Sequence, residues 1–253
     1  MEKNVFICFA AEDRYRIVEP IVFHLKNYGI NMWYDRYSLI MGDDRIGKNL
    51  IEGASLCKYA VIIISEFTFQ SHCAMEELSI IEERHYNGDV TIFPVIYELS
   101  LSKIPVTLMW IKNLIFKEAD RHSGTYEICN HIACKITSDV LQKYEYQNIH
   151  SVITNLSSKL PTATYRILMD YQGIDAANLN SKVSMLYAAH ITIKVLITSS
   201  EDPLNTMISS IFERLFCETK LNLSIDYREI WLLENSICIL ANQYINYCTE
   251  SKI

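Results

Sequence analysis

The sequence predicts an α/β fold for its first part, a five-stranded parallel sheet flanked by helices, followed by an all-α domain. Five short apolar runs alternate with segments of helical spacing as far as about residue 146, which is the pattern of a parallel sheet. No strand pattern follows, and only one of the seven glycines, Gly173, lies beyond residue 125. A chain of 253 residues has room for both parts, which we place at residues 1–147 and 148–253.

The predicted strands are short, apolar and rich in β-branched or aromatic residues. They are residues 5–9, 30–35, 61–64, 90–96 and 110–116. Residues 105–108 are predicted to form a short turn or helix before the last strand. Because right-handed crossovers place the loops after parallel strands at one edge of the sheet, the loops that follow the first three strands should lie side by side. Ligands of open α/β sheets bind at this edge.

Helical spacing between these strands predicts the helices that cover the sheet. The first begins near Asp13, a candidate N-cap, and ends at Gly29, while Pro20 either starts its regular part or kinks it. Ser71 is the candidate N-cap of the helix that follows the third strand. The remaining predicted helices of this part are residues 45–56 and 124–144.

The second part is predicted to contain roughly four helices and no strand. Their periodic segments are residues 164–171, 181–198, 203–219 and 224–248. The third begins with Asp202-Pro203, a capping residue followed by a proline at the first helical position. We expect this helical domain to serve regulation, oligomerisation or sensing.

Composition and charge exclude several classes of protein. A net charge of −7 and the lack of any Lys/Arg-rich run argue against a nucleic-acid partner. The eight cysteines form no C-x-x-C pair and no His/Cys ligand spacing, so the sequence predicts a reduced chain without a metal site. The chain enters its first strand without an apolar signal region, and its apolar stretches are too short to span a bilayer. These features predict a cytoplasmic protein with no membrane partner.

Residues 42–49 nearly match a phosphate-binding loop of the G-x-x-x-x-G-K-[ST] type. Asn49 offers no hydroxyl group to magnesium, and Asp43 and Asp44 would repel the phosphates that such a loop holds. The segment also lies well beyond the end of the preceding strand. We therefore do not predict hydrolysis of nucleoside triphosphates.

Three segments, in this order and at these separations, resemble a Toll/interleukin-1 receptor (TIR) domain, which has a flavodoxin-like sheet. VFICFAAEDR (residues 5–14) is similar to the first strand and its loop, and NMWYDRYSLIMGDD (residues 31–44) to the second strand and the long BB loop. SHCAMEEL (residues 71–78) is similar to the W-C-x-x-E-L segment that carries the glutamate of enzymatic TIR domains. The resemblance ends near residue 146.

The resemblance implies NAD⁺ glycohydrolase chemistry, in which nicotinamide is released and ADP-ribose or a cyclic or variant ADP-ribose signal is formed. NAD⁺ is then a substrate, and no cofactor is expected. Such proteins serve antiviral defence or cell-death signalling, and they act as homo-oligomers, which implies contacts through the TIR domain and here also through the helical domain. The alternative is a non-catalytic TIR scaffold or adaptor that acts by TIR–TIR self-association.

Glu76 matches the catalytic glutamate of the resembling segment. An ionised carboxylate near the ribose stabilises the oxocarbenium-like centre that forms when the nicotinamide bond breaks. A helix N-terminus keeps such a carboxylate charged, and nicotinamide leaves as a neutral base, so no general acid is required. The neighbouring Glu77, like Glu82 and Glu83, is expected to be a solvated helix glutamate.

The resemblance also implies a set of substrate-binding residues in the first loop, the second strand, the BB loop and the helix start. They are Phe9, Ala10, Ala11, Trp33, Asp35, Ser38, Leu39 and His72. His72 stands where many members of the family have tryptophan. Because Ala10 and Ala11 lack the basic or hydroxyl side chains that some members direct at the phosphates, Arg14 or Arg36 is expected to substitute for them.

Overall fold

The computed structural model describes residues 5–197 and 202–250, and these form two compact units. The first unit is built from the described residues up to Lys26 and from Ile30 to Cys129. The second is built from Asn27–Gly29 and from Asn130 onward. The predicted functional boundary between residues 147 and 148 stays a prediction.

The first unit contains a five-stranded, entirely parallel sheet of order β2-β1-β3-β4-β5, which confirms the predicted fold class. The strands are β1 (Val5–Cys8), β2 (Met32–Trp33), β3 (Tyr59–Ile64), β4 (Thr91–Tyr97) and β5 (Lys117–Ala119). All side chains of β1 and β3 are buried, as expected of central strands that helices cover on both faces.

Helical segments of several kinds connect these strands. In chain order they are a 3₁₀ turn (Ala11–Asp13), a π-helical turn (Arg14–Val18) that continues into α1 (Glu19–Asn27), α2 (Asp35–Ser38), a π-helical segment (Ile46–Ala54), a 3₁₀ turn (Thr68–Gln70), α3 (His72–Tyr86) and the 3₁₀ segments Leu101–Lys103 and Val106–Asn113. Pro20 is the second residue of α1, so it lies where the regular helix starts. The Ser71 hydroxyl accepts a hydrogen bond from the backbone N–H of Ala74, which confirms the predicted cap of α3.

Three local predictions for this unit are wrong. The second strand covers only Met32–Trp33, because the chain turns into α2 directly after Tyr34. Residues 110–116 form no strand: their first part belongs to a 3₁₀ helix that buries Leu108 and Ile111, three residues apart on one face, and β5 begins at Lys117. Asp13 makes no capping bond, because its side chain is buried against β3.

The described part of the second unit is helical throughout, as predicted. Its helices are α4 (Tyr126–Leu141, which begins in the first unit), α5 (Ile149–Leu156), α6 (Thr162–Gln172), α7 (Leu179–Lys194), α8 (Pro203–Lys220) and α9 (Tyr227–Glu250). The four predicted helices correspond to α6 through α9, although the predicted end of the second, Thr198, lies outside the described residues. Helix α5, capped reciprocally by Asn148 and Ser151, is not among the predicted helices.

Two features of the described residues bear on the compositional predictions. No helix among them is both long enough and apolar enough to cross a membrane. The eight cysteines are free thiols.

Candidate active site

The carboxyl ends of β1 and β2 and the first turns of α3 lie at one edge of the sheet. In the observed strand order, β2 lies on the outer side of β1, while β4 and β5 follow on the outer side of β3. The connections therefore change direction between β1 and β3, which makes this edge the topological switch point of the fold. Cys8 ends β1 and Trp33 ends β2, and both are buried. Here Trp33 of β2, Asn49 of the π-helical segment and Glu77 of α3 form a buried cluster, which we call the crevice.

Glu77 points from α3 into this crevice and is only 7% exposed. The Asn49 amide nitrogen donates a hydrogen bond to Glu77 Oε1 at 2.5 Å. The Asn49 amide oxygen accepts one from the indole N–H of Trp33 at 3.1 Å. A continuous chain of hydrogen bonds therefore links the end of β2, the π-helical segment and α3.

Burial raises the pKa of Glu77 from 4.5 to about 7, although hydrogen bonds with Cys8 and Asn49 oppose the rise. The carboxyl group therefore changes its charge near neutral pH. A carboxyl group with this property in a crevice at the binding edge of an α/β sheet is a candidate functional group on physical grounds. The prediction that Glu77 is a solvated glutamate is wrong.

Glu76, one residue earlier, lies on a different face of α3 at the rim of the crevice. Its carboxylate pairs with the Arg45 guanidinium at 2.6 Å, and the His72 Nδ1 atom lies 3.5 Å away. The hydrogen bond from Arg45 is the main reason that the pKa of Glu76 is lowered. The side chain of Glu76 keeps about a third of its surface exposed and that of His72 most of it. Glu76 is thus an ionised, rim-located carboxylate.

The π-helical segment Ile46–Ala54 covers the crevice and packs closely on the sheet. A Cβ atom added to Gly53 would lie 2.8 Å from the Phe6 ring and 2.9 Å from Trp33 Nε1, so a larger residue does not fit. The Arg45–Glu76 pair and a Lys48–Asp43 pair at 2.9 Å hold the start of the segment.

An open cavity of about 480 Å³ lies beside the crevice, between the first loop and the BB loop. It is lined by Arg14, Tyr15, Asp35, Arg36, Leu39 and Ile40, among others. Arg14 makes a two-pronged pair with Asp35, both distances being 2.7 Å, and its guanidinium lies over the Phe9 ring at 5.0 Å. Arg36 pairs with Glu19 at 2.8 Å. Two guanidinium groups therefore face a cavity whose volume is in the range of ligand sites, and each is neutralised by a carboxylate.

Asp13 and Ser65 form a second buried polar cluster at the same edge. The Ser65 hydroxyl donates to Asp13 Oδ2 at 2.5 Å, and the Ser65 backbone N–H donates to the Thr68 hydroxyl at 2.9 Å. Burial raises the pKa of Asp13, and its Oδ1 atom has no hydrogen-bond partner. The cluster ties the loop after β1 to the loop after β3, and so positions both loops.

The structure brings some of the predicted substrate-binding residues together and separates others. Asp35 and Leu39 line the cavity, and Phe9 lies beneath the Arg14 guanidinium. Trp33 belongs to the crevice chain with Asn49. Of the others, Ala10 is fully buried, Ala11 and His72 are exposed, and Ser38 is partly exposed at the end of α2.

Sequence reasoning missed Asn49 and Glu77, although a signal for Glu77 was present. Glu77 lies three residues after Ala74 and four before Ile81, both of which belong to the apolar face of α3. A carboxylate on the apolar face of a packed helix is expected to be buried. Glu77 lies on that face of α3, and it is buried. No such signal marked Asn49. It lies in a π-helical segment, and the residues that share one face of a π-helix do not follow the spacing by which the buried face of an α-helix is identified.

Among the described residues, no group of three or more His, Cys, Asp or Glu side chains is arranged so that it could hold a metal ion.

Comparison with known proteins shows a similarity to one family within the first unit. Residues 5–123 match the family model described as TIR domain. A protein named NAD(+) hydrolase TcpA from Theionarchaea archaeon is 26% identical over 103 residues, which are 41% of this chain and 31% of the relative. A protein named 2' cyclic ADP-D-ribose synthase AbTIR from Acinetobacter baumannii is 27% identical over 103 residues, which are 41% of this chain and 38% of the relative.

A further relative, named 2' cyclic ADP-D-ribose synthase BtTIR, from Bacteroides thetaiotaomicron, is 30% identical over 101 residues, or 40% of this chain and 35% of the relative. The chain therefore spans about a third of the length of these curated relatives. Except for Asn27–Gly29, the residues that match the family model, 5–123, lie in the first unit, which contains the sheet.

Proposed function

Since residues 5–123 form a TIR domain, we propose that this chain is an NAD⁺ glycohydrolase, which releases nicotinamide and forms ADP-ribose or a cyclic or variant ADP-ribose. The observation that carries the proposal is a buried carboxyl group, Glu77, at the switch point of the sheet beside a cavity that contains two arginines. Relatives named NAD⁺ hydrolase and cyclic ADP-ribose synthase support the same reaction class.

The proposed mechanism uses the charge of one carboxylate. Cleavage of the bond between nicotinamide and ribose leaves positive charge on the ribose, and an ionised carboxylate in a crevice with little water stabilises that charge strongly. Nicotinamide departs as a neutral base, so no protonated group has to assist it. The carboxylate must be ionised, and with a pKa of about 7 Glu77 is mostly ionised only above about pH 7.

The cavity offers the groups that a dinucleotide requires. Arg14 and Arg36 would hold the diphosphate, each exchanging its present carboxylate partner for a phosphate oxygen, and guanidinium groups suit such two-pronged contacts. Asp35 and Leu39 belong to the same wall. The indole N–H of Trp33 donates a hydrogen bond to Asn49 and so helps to position the Asn49 amide group beside Glu77.

We propose Glu77 as the carboxylate that faces the ribose and Glu76 as the residue that holds the covering segment through Arg45. Glu77 lies in the crevice and Glu76 at its rim, and a carboxylate stabilises charge best where water is excluded. The catalytic role that the sequence predicts for Glu76 stays a prediction. The two residues are adjacent, so one pair of variants distinguishes them.

The test measures nicotinamide released from NAD⁺ by the purified full chain at several protein concentrations. We expect release that rises more than linearly with protein concentration, and a loss of about 10²-fold or more in Glu77→Gln. The matched control, Glu76→Gln, removes the same charge one residue away and should keep release within a few-fold of the unaltered protein. The opposite result would assign the chemistry to Glu76. No release from any protein that is folded by circular dichroism would reject the enzyme.

A second candidate function is a non-catalytic scaffold that self-associates through the BB loop. The observation that favours it is a group of exposed apolar side chains on and after that loop, with Ile40 77% and Met41 102% exposed, followed by Ile46 and Ile51. Such a group is unusual on a surface that stays free. In this case Ile40→Asp would abolish self-association measured by light scattering, while no NAD⁺ would be consumed.

We propose that the enzyme acts as a homo-oligomer in antiviral defence or cell-death signalling in the cytoplasm, with residues 148–253 regulating assembly or sensing a trigger. The exposed BB-loop group supports the TIR part of this assembly. A concentration-dependent mass in solution that decreases in Ile40→Asp tests it.

A further inference from the structure

The helical unit contains a groove between α7 and α8 with a floor contributed by α9. Its volume is about 330 Å³, near the lower limit for ligand sites. His190 and Lys194 come from α7, Leu240 comes from α9, and one face of α8 supplies most of the rest. The residues from α8 are Asn205, Thr206, Ser209, Ser210 and Glu213.

His190 lies in this groove as a buried side chain with no hydrogen-bond partner among the described residues. It is 1% exposed, and neither ring nitrogen bonds to any group in the described part of the chain. Its ring stacks on Phe212 with 4.3 Å between centroids and an angle of 6°. Stacking uses the faces of the ring and leaves the two nitrogens, which lie in its plane, unsatisfied. Because buried polar atoms without partners cost stability, they are rare and need an explanation.

The imidazole is neutral at physiological pH, because burial lowers the pKa of His190 to about 4, with a smaller contribution from Lys194. A neutral imidazole offers one donor and one acceptor, which match a hydroxyl group rather than a second charge. The groove therefore presents a hydrogen-bonding pair that the described residues do not use.

The wall from α8 adds neutral hydrogen-bonding groups. Ser210 donates its hydroxyl to the Thr206 carbonyl at 3.0 Å, and the Thr206 hydroxyl donates to the Asp202 carbonyl at 3.4 Å. Both residues line the groove, and both hydroxyl oxygens keep acceptor capacity. The exposed side chains of Lys194 and Glu213 supply one positive and one negative charge to the lining.

We propose that this groove binds a small polyhydroxylated compound with a single phosphate group, of the size of a pentose phosphate. Lys194 would pair with the phosphate, while the α8 hydroxyls, Glu213 and His190 would bond to the sugar hydroxyls. The lining has more neutral polar groups than charged ones, so a free amino acid, which offers mainly two charges, would leave them unpaired. The groove is also too small for a folded partner, and Glu213 disfavours a polyanion.

This site is separate from the proposed NAD⁺ chemistry and does not rest on it. It would give the helical unit a ligand of its own, and so a chemical basis for a sensing role.

The test is isothermal titration calorimetry of the full chain with ribose 5-phosphate, ribose and inorganic phosphate as probes. We expect ribose 5-phosphate to bind, and ribose and phosphate each to bind at least about 10-fold more weakly, since each makes half of the contacts. Lys194→Gln should weaken the phosphorylated probe about 10-fold and leave ribose unchanged. Lys159→Gln, which removes an exposed charge elsewhere in the unit, should change nothing.

Two further variants separate a ligand site from a core histidine. His190→Phe keeps the stacked ring and removes both nitrogens, so it should abolish binding while the melting temperature stays equal or rises by about 2 °C or more. Ser209→Leu should fill the groove and block binding even if His190→Phe fails to fold. Undiminished binding in either folded variant, no binding of ribose 5-phosphate at millimolar concentration, or tighter binding of a free amino acid would each overturn the proposal.

Discussion

The crevice of the α/β unit and the groove of the helical unit each contain a buried titratable side chain, and they treat it differently. Glu77 is surrounded by partners that the fold supplies, chiefly Asn49, and the chain of bonds continues to Trp33. His190 stacks on Phe212 and makes no hydrogen bond with any described residue. A buried polar group with partners is held in one geometry, whereas one without partners pays the cost of desolvation until a ligand arrives.

Burial also shifts the pKa values of the two groups in opposite directions. Desolvation penalises the charged form in both, so the pKa of Glu77 rises to about 7 and that of His190 falls to about 4. Glu77 is therefore poised to titrate near neutral pH, as a group in chemistry should be, and His190 is fixed in its neutral form, as a recognition group should be.

The largest expected effect is on the pH dependence of nicotinamide release. If ionised Glu77 stabilises the ribosyl cation, release at saturating NAD⁺ should rise about 10²-fold between pH 5 and pH 8 and level off above about pH 7. Glu76, whose pKa is lowered below 4.5, would give a flat profile over this range. Release that does not change with pH over this range would show that Glu77 takes no part in the reaction. The proposed difference between a reactive Glu77 and a ligand-binding His190 would then be wrong.

The crevice should be sensitive to the loss of the residue that connects it. Asn49→Ala leaves both the Glu77 carboxyl group and the Trp33 N–H buried without their present partner, so the free energy of unfolding should fall by about 2 to 4 kcal/mol. Urea unfolding followed by tryptophan fluorescence measures this. As a control, Asn155→Ala in α5, whose amide donates only to an exposed carbonyl in its own helix, should cost well under half of that amount.

The titration of Glu77 predicts how stability depends on pH. Its pKa in the folded protein lies above that of an unfolded glutamate, so its contribution to stability is fully present below about pH 4.5 and is lost as the pH rises through about 7. Glu77→Gln should therefore remove a decline of about 2 to 3 kcal/mol between pH 4.5 and pH 8, measured by urea unfolding. Glu76 has the opposite sign, since its lowered pKa gives a contribution that is lost as the pH falls below about 4.5. A decline that persists unchanged in Glu77→Gln would contradict the assignment.

The helical groove should respond to mutation in the opposite sense. His190→Phe removes two unsatisfied buried nitrogens and keeps the stack on Phe212, so the ligand-free protein should gain about 1 to 2 kcal/mol at pH 7. The gain should grow as the pH falls from about 6.5 to 4, because the unfolded chain binds a proton on His190 before the folded one does. A loss of stability at pH 7 would mean that the imidazole is needed by the core, and that the two regions differ less than proposed.

The prediction of individual elements from sequence succeeded where one signal decided the structure and failed where packing did. Ser71, a cap followed by an apolar periodic run, gave the start of α3 correctly. Residues 110–116 were apolar enough for a strand, but the sheet accepts a fifth strand only where the backbone returns to β4, and that is at Lys117. Asp13 has the chemistry of a cap, yet the hydroxyl of Ser65, 52 residues away, binds it instead.

By itself the sequence determined the order of strands and helices, the parallel sheet and the edge at which a site forms, because hydrophobic periodicity and the handedness of crossovers are local or general properties. Only the tertiary structure decided which of two adjacent glutamates is buried and with which residues it bonds. That choice depends on the side-chain directions of α3 against a π-helical segment more than twenty residues earlier in the chain. The groove of the helical unit was likewise decided by the tertiary structure. A buried histidine without partners among the described residues can be recognised only when its neighbours in space are known.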